Sequence, residues 1–298
     1  MGSDDTTSPP APRLPAADQA QGLRARRGDL VPFEVRRRRV VAVTGGKGGV
    51  GKSTLSVNLS VAWGQRGARV LTVDGDAGMA DLNLLLGVAP PTSVADLLAG
   101  TPAEKVLVPA HGIHLLPALN GSYALANLDD AARARVFAAL SDLAPRFDTL
   151  LIDTAAGIGA GTMGLAGAAA DVVVVARAEP LSLADAYACI KVLAQREKVQ
   201  RFLILANDVR SPSDADEVYG RLRVLVERFL GVEIVPLPPV PHDPLIREAA
   251  ACGQPVVGLA PDAPSSRAIL HVTRCIDLLA RPTAPAGPLA GFLRGAQP

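Results

Sequence analysis

Val40, Val41, Ala42, Val43 and Thr44 form an apolar run that ends in Gly45-Gly46-Lys47-Gly48-Gly49-Val50-Gly51-Lys52-Ser53-Thr54, and an amphipathic, helix-period stretch follows. This order of strand, glycine-rich turn and helix constrains the fold more than any other feature of the chain. Gly46 to Ser53 fits the spacing G-x-x-x-x-G-K-[ST] in the context that spacing requires. Glycine permits backbone conformations in which successive N–H groups turn inward around phosphate oxygens. The next helix aims its positive end at the same anion. The expected nucleotide contacts are therefore Gly46, Lys47, Gly48, Gly49, Val50, Gly51, Lys52, Ser53 and Thr54. Lys52 is expected at the β- and γ-phosphates, Ser53 at Mg2+ and Thr54 at the α-phosphate.

From residue 40 onward, short β-branched runs alternate with Ala/Leu-rich helical stretches. Strands are expected at 40–44, 69–74, 113–117, 149–153, 172–176, 202–206 and 232–236. Helices are expected at 52–65, 129–143, 182–195, 214–229 and 264–279. Such alternation predicts an α/β fold of the P-loop NTPase type: a mostly parallel twisted sheet with helices on both faces. Aromatics make up 3% of the chain, so Ala, Gly, Val and Leu must build its core. Residues 1–37 have the composition of a disordered leader. Residues 38–281 are expected to form the P-loop domain, and 282–298 a Pro-rich linker with a short tail.

The formal net charge is +1, which excludes a whole-molecule basic field and predicts no strong nucleic-acid binding. Arg36 to Arg39 form a local basic run, expected to be a solvated strand entry. The three cysteines, Cys189, Cys252 and Cys275, are far apart, which argues against a disulfide framework or a zinc site. Each is expected to be a small buried hydrophobe in a reduced, cytoplasmic compartment. No secretory signal and no run of 18 apolar residues is visible.

Lys47 narrows the reading. The pattern K-G-G-x-G-K-[ST] resembles the deviant Walker A ATPases, MinD, ParA and their relatives. That resemblance implies ATP with Mg2+ as ligands and an ATP-dependent homodimer in which Lys47 crosses to the partner's nucleotide. Strand 69–74 ends in Asp74-Gly75-Asp76, and strand 149–153 ends in Asp153. Carboxylates at the C-terminal ends of parallel strands face the ligand crevice. By resemblance, Asp76 orients the attacking water and Asp153 holds Mg2+ through water. Asp76 is a second candidate for the metal's shell, and Asp74 supports both. The catalytic set is thus Lys47, Lys52 and Asp76. Asn207 resembles the family's adenine-contacting residue, and Pro241 with Asp243 its loop over the base.

Within that family the chain resembles the FlhG branch, which sets flagellar number and placement. Asp18, Gln19, Ala20, Leu23 and Arg24 match D-Q-A-x-x-L-R, the segment that activates the GTPase FlhF. Glu179-Pro180 through Asp185-Ala186-Tyr187 matches a second segment. Basal-body or transcriptional regulators are further implied partners. The chain departs from the family after Asp76, where Asp81 and Asn83 exchange the usual acid and amide. It departs again at the C-terminus, where Phe292 and Leu293 stand in place of a long amphipathic helix. Weak, avidity-dependent association with the inner face of the membrane is the resulting expectation. The competing readings are a ParA-type partition ATPase, which needs a basic face for DNA, and a MinD-type division regulator.

Overall fold

The structure, a computed structural model, describes residues 38–76, 81–118, 129–143 and 146–279. The leader motif from Asp18 to Arg24, the tail residues Phe292 and Leu293, and the segment 77–80 lie outside the described residues.

Strand β1 (Arg39–Thr44) leads through the glycine-rich turn to α1 (Lys52–Gln65) and β2 (Val70–Gly75). Three short helical turns precede β3 (Val108–Ala110) and β4 (Ile113–Leu116). Then come α2 (Asp130–Asp142), β5 (Thr149–Thr154), α3 (Ala160–Gly167), β6 (Asp171–Ala176) and α4 (Pro180–Arg196). The chain continues with β7 (Arg201–Val209), α5 (Pro212–Phe229), β8 (Glu233–Pro236) and β9 (Val240–Pro241). It ends with α6 (Pro244–Ala251), a short turn, and α7 (Pro264–Leu278).

The sheet runs β3-β4-β2-β5-β1-β6-β7-β8, with β9 paired to β7. Every pairing is parallel except β3 with β4. β1 lies between β5 and β6, so the chain departs to opposite sides of β1 in its two halves. The crevice beyond its carboxyl end is where such sheets bind ligands.

The two-residue period of a strand divides the core into two layers. Val41, Val43, Val173, Val175, Leu203 and Leu205 face α1 and α7, where Leu59, Ile269, Val272 and Ile276 meet them. Val40, Ala42, Val172, Val174, Phe202 and Ile204 face α2, α4 and α5, where Phe137, Ile190 and Leu222 meet them. Burial on both faces explains why these strands are continuously apolar rather than alternating.

Three expectations are corrected. α1 is not amphipathic, because the sheet covers one side of it and α7 with the Val256–Leu259 turn covers another. Its polar residues Ser56, Asn58 and Ser60 are all buried. Each is satisfied inside the protein: Ser60 Oγ accepts from Thr72 Oγ1 at 2.8 Å, and Asn58 Oδ1 accepts from the Val257 N–H at 3.2 Å. Arg39 is not solvated. It is 3% exposed and pairs with the buried Asp171 at 2.8 Å, and its Nη2 donates to the carbonyls of Asp277 and Leu279. A buried guanidinium with that many acceptors is tolerated, whereas an unpaired one is not. Of the cysteines, Cys189 is buried, Cys275 is partly buried and Cys252 is exposed just after α6.

Candidate nucleotide site

The turn between β1 and α1 depends on glycine at specific points. Gly49 and Gly51 take φ of 80° and 96°, a left-handed region that side chains disfavour. At Gly46 the constraint is space, since a Cβ there would lie 2.0 Å from the Asp185 carbonyl oxygen on α4. At Gly51 a Cβ would lie 2.3 Å from Asn207 Nδ2. The loop is thus held closely between α4 and the end of β7. Asn207 fastens it, with Nδ2 donating to the Val50 carbonyl at 2.8 Å. The Val50 side chain is itself buried in the core layer beneath α1.

Lys52 opens α1 and is buried, and its Nζ donates to the Lys47 carbonyl at 3.2 Å. Burial draws its pKa below the ordinary lysine value, and the carboxylates of Asp153 and Asp76 act against that shift. A partly desolvated ammonium over two carboxylates is a strong anion-recognition group once an anion arrives.

Sheet register brings the acids together. Asp153 on β5 stands opposite Val43 on β1 and opposite Asp74 on β2. Its Oδ1 accepts from Ser56 Oγ at 2.6 Å, one turn of α1 beyond Lys52. Its Oδ2 is buried with no hydrogen-bond partner. Burial raises its pKa to about 6, opposed by the hydroxyls of Ser56 and Ser53. Asp74 is arranged alike. Oδ1 accepts from the Asp76 N–H at 3.1 Å, and Oδ2 is buried without a partner. Burial and the neighbouring Asp153 raise its pKa to about 8.

Orphaned buried oxygens are rare and call for an explanation. A hydrated divalent cation beside Asp153 would supply one, since metal-bound water donates to carboxylates. Among the described residues no three His, Cys, Asp or Glu side chains cluster to hold a metal. Mg2+ bound beside phosphates needs no such cluster, because phosphate and water complete its octahedron.

At the base end, β9 joins β7 so that Asn207 faces Val240 and Val209 faces Pro241, with a register shift between them. Pro241 is thereby placed one residue beyond the partner of Asn207 along β9. Asp243 holds its loop to the fold: its side chain caps α6 by accepting from the Leu245 N–H at 3.0 Å, and it accepts from Ser265 Oγ at 2.7 Å. Ser56 escaped the sequence reading, although its helical spacing from Lys52 was the available signal. Asp208 and His242 escaped it too, because their pairing depends on the β7–β9 register. Lys47, Gly48, Ser53 and Thr54 all lie on the turn or the first turn of α1, on the crevice side of the sheet.

A strand, a phosphate-sized glycine turn with a buried lysine, and acids on adjacent strand ends define a P-loop nucleotide-binding protein. The model of the CobQ/CobB/MinD/ParA nucleotide binding domain matches residues 41–256. The chain belongs to that family; it is a P-loop ATPase of the MinD/ParA kind, in its FlhG (FleN/YlxH) branch. It is 36% identical over 256 residues to the antiactivator FleN of Pseudomonas aeruginosa, covering 85% of this chain and 91% of that one. It is 35% identical over 184 residues to the flagellum site-determining protein YlxH of Helicobacter pylori, covering 61% and 62%. Among solved structures it resembles septum site-determining MinD of Pyrococcus horikoshii complexed with Mg-ADP. The TM-score is 0.65 at 26% identity, over 81% of this chain and 96% of that one.

Proposed function

We propose that this chain is an ATP-driven dimerising switch that controls flagellar number and placement and acts on the partner GTPase FlhF. The observation that carries the flagellar reading is the match to the flagellum site-determining protein YlxH, beside the longer match to FleN. The switch reading draws on the site, where one loop carries both Lys47 and Lys52.

Mg2+-ATP fits the residues present. The N–H groups of the 46–54 turn and the Lys52 ammonium would hold its phosphates, and Ser53 and Asp153 would hold the cation. Asn207 and Pro241 would meet the base. Bound Mg2+ would neutralise charge that develops on the transferring phosphoryl group. The chain's own work is positioning. Asp76, whose N–H is held by Asp74, orients a water for attack. Lys52 stabilises charge on the γ-phosphoryl oxygens from a site partly closed to water. Lys47, fixed at its carbonyl by Lys52, directs its ammonium toward a second protomer and supplies there what an arginine finger supplies elsewhere. Dimerisation and hydrolysis are thereby coupled.

Gln19 of the leader is the residue proposed to complete the GTPase site of FlhF, and Phe292 with Leu293 would give weak contact with the membrane. Among the described residues no helix is long and apolar enough to cross one. The test is a GTPase assay of FlhF with the full chain and with Gln19→Ala. Stimulation by the wild type and its loss in the variant is expected. An FlhF rate unchanged by the wild-type chain would remove the FlhF assignment.

A further inference from the structure

The end of β7 carries an irregularity whose consequence reaches the base side of the crevice. Between Asn207 and Val209 the pairing with β9 shifts register, and Asp208 is the residue left over. Its φ is 60°, in the left-handed region. Aspartate tolerates this better than most residues but still at some cost in energy. Bulges of this kind re-aim side chains next to active sites. Here the two neighbouring side chains part company: Asn207 turns to the Val50 carbonyl of the phosphate loop, while Asp208 turns away to a guanidinium and an imidazole.

Those two partners come from different elements. Arg177, just past the end of β6, pairs with Asp208 through Nη2. His242, just past β9, donates from Nδ1 to Asp208 Oδ1 at 2.5 Å, and its N–H donates to the Val209 carbonyl at 2.8 Å. Arg177 is also held from its own side. Its Nε lies 3.4 Å from Glu179 Oε1, and its N–H donates to Ser182 Oγ at 2.9 Å. All three members of the triad are between one quarter and two fifths exposed, so their attraction is partly screened. Geometry makes the triad effective: one carboxylate spans the ends of β6, β7 and β9.

We propose that Arg177, Asp208 and His242 form a bracket that sets the position of Asn207 and Pro241, and so determines the selectivity of this site for its base. The proposal rests on the reading of the crevice as an ATP site. The three are positioning residues and touch no phosphate. β9 is only two residues long, and its two register pairs with β7 flank Asp208. With the Asp208 carboxylate removed, β9 and its Pro241 lose a hydrogen-bonded tie to β7, and the left-handed turn loses its side-chain anchor to Arg177 and His242. Asn207 then loses its fixed register and its hold on the Val50 carbonyl loosens, while the glycine turn stays packed against α4 at Gly46 and Lys52 stays on α1.

The test compares ligands that share the phosphates and differ in the base: Mg-ATP, Mg-GTP and inorganic tripolyphosphate. Binding is measured by calorimetry on the full chain. Asp208→Ala is expected to weaken Mg-ATP at least about tenfold, toward the value for Mg-GTP, and to leave tripolyphosphate within about twofold of wild type. Arg177→Gln, at a site about one third exposed, provides the same readout if Asp208→Ala does not fold. Unchanged ATP affinity, or equal losses for ATP and tripolyphosphate, would overturn the bracket. A wild-type chain that binds none of the three would instead overturn the ATP reading beneath it.

Discussion

Asp74 and Asp153 occupy paired positions on β2 and β5, and each keeps one buried oxygen that nothing in the protein satisfies. Burial and mutual repulsion raise the Asp74 pKa from 3.8 to about 8. A raised folded-state pKa means that the native protein binds a proton which the unfolded chain has already released. The stabilising contribution is therefore full below 3.8 and is lost as pH rises through about 8. Without nucleotide or Mg2+, the melting temperature is expected to fall between about pH 5 and pH 9. Asp74→Asn removes the titrating group and keeps an acceptor for the Asp76 N–H, so its curve should be flatter and lie above wild type at the alkaline end. Parallel curves for the two proteins would show that Asp74 is ionised throughout. Gly46→Ala makes a second prediction at this scale. A methyl 2.0 Å from a helix carbonyl must push the loop away from α4. Nucleotide binding should be lost while the far-ultraviolet circular dichroism spectrum stays native.

The secondary structure elements show what the sequence disclosed and what it could not. Continuous runs such as Val172 to Val175 marked buried parallel strands, and each expected strand is present within a few residues of its bounds. The phosphate turn was legible because its chemistry is local: glycines, a lysine and a serine at fixed offsets. α3 was missed because its run of Ala, Gly and Thr carries no clear period, and packing against β1 and β5 makes it helical. α1 was read with the wrong environment. Ser56, Asn58 and Ser60 look like solvent-facing positions of an amphipathic helix, yet each finds a partner inside, as pattern reasoning from one chain cannot foresee. Arg39 was misjudged for the same reason, since Asp171 lies 132 residues away. β9 and the Asp208 bulge depend on register, which no local pattern encodes. The two-layer core gives a prediction for α4. Ile190 is fully buried beneath it, so Ile190→Ala should lower stability by about 2–5 kcal/mol in urea unfolding, without altering base selectivity.

At the scale of the whole molecule, the nucleotide crevice and the ends of the domain lie at opposite ends of the strands. Arg39 at the start of β1 grips the carbonyls of Asp277 and Leu279 at the close of α7, each at 2.9 Å. The two boundaries of the described domain are thereby fastened together at the end of the sheet away from the nucleotide crevice. Asp76→Ala, with its water unpositioned, should retain Mg-ATP and persist as a dimer. Light scattering should report twice the 30.7 kDa protomer mass with Mg-ATP and the single mass without it. The nucleotide and dimer expectations all require that the turn from Gly46 to Thr54 cage a triphosphate, and calorimetric titration with Mg-ATP tests it most directly. Saturable binding of one nucleotide per protomer is predicted for the wild type, and none detectable for Lys52→Ala. A wild-type chain that gives no binding heat at any Mg-ATP concentration or temperature, or a Lys52→Ala chain that binds as tightly, would contradict it.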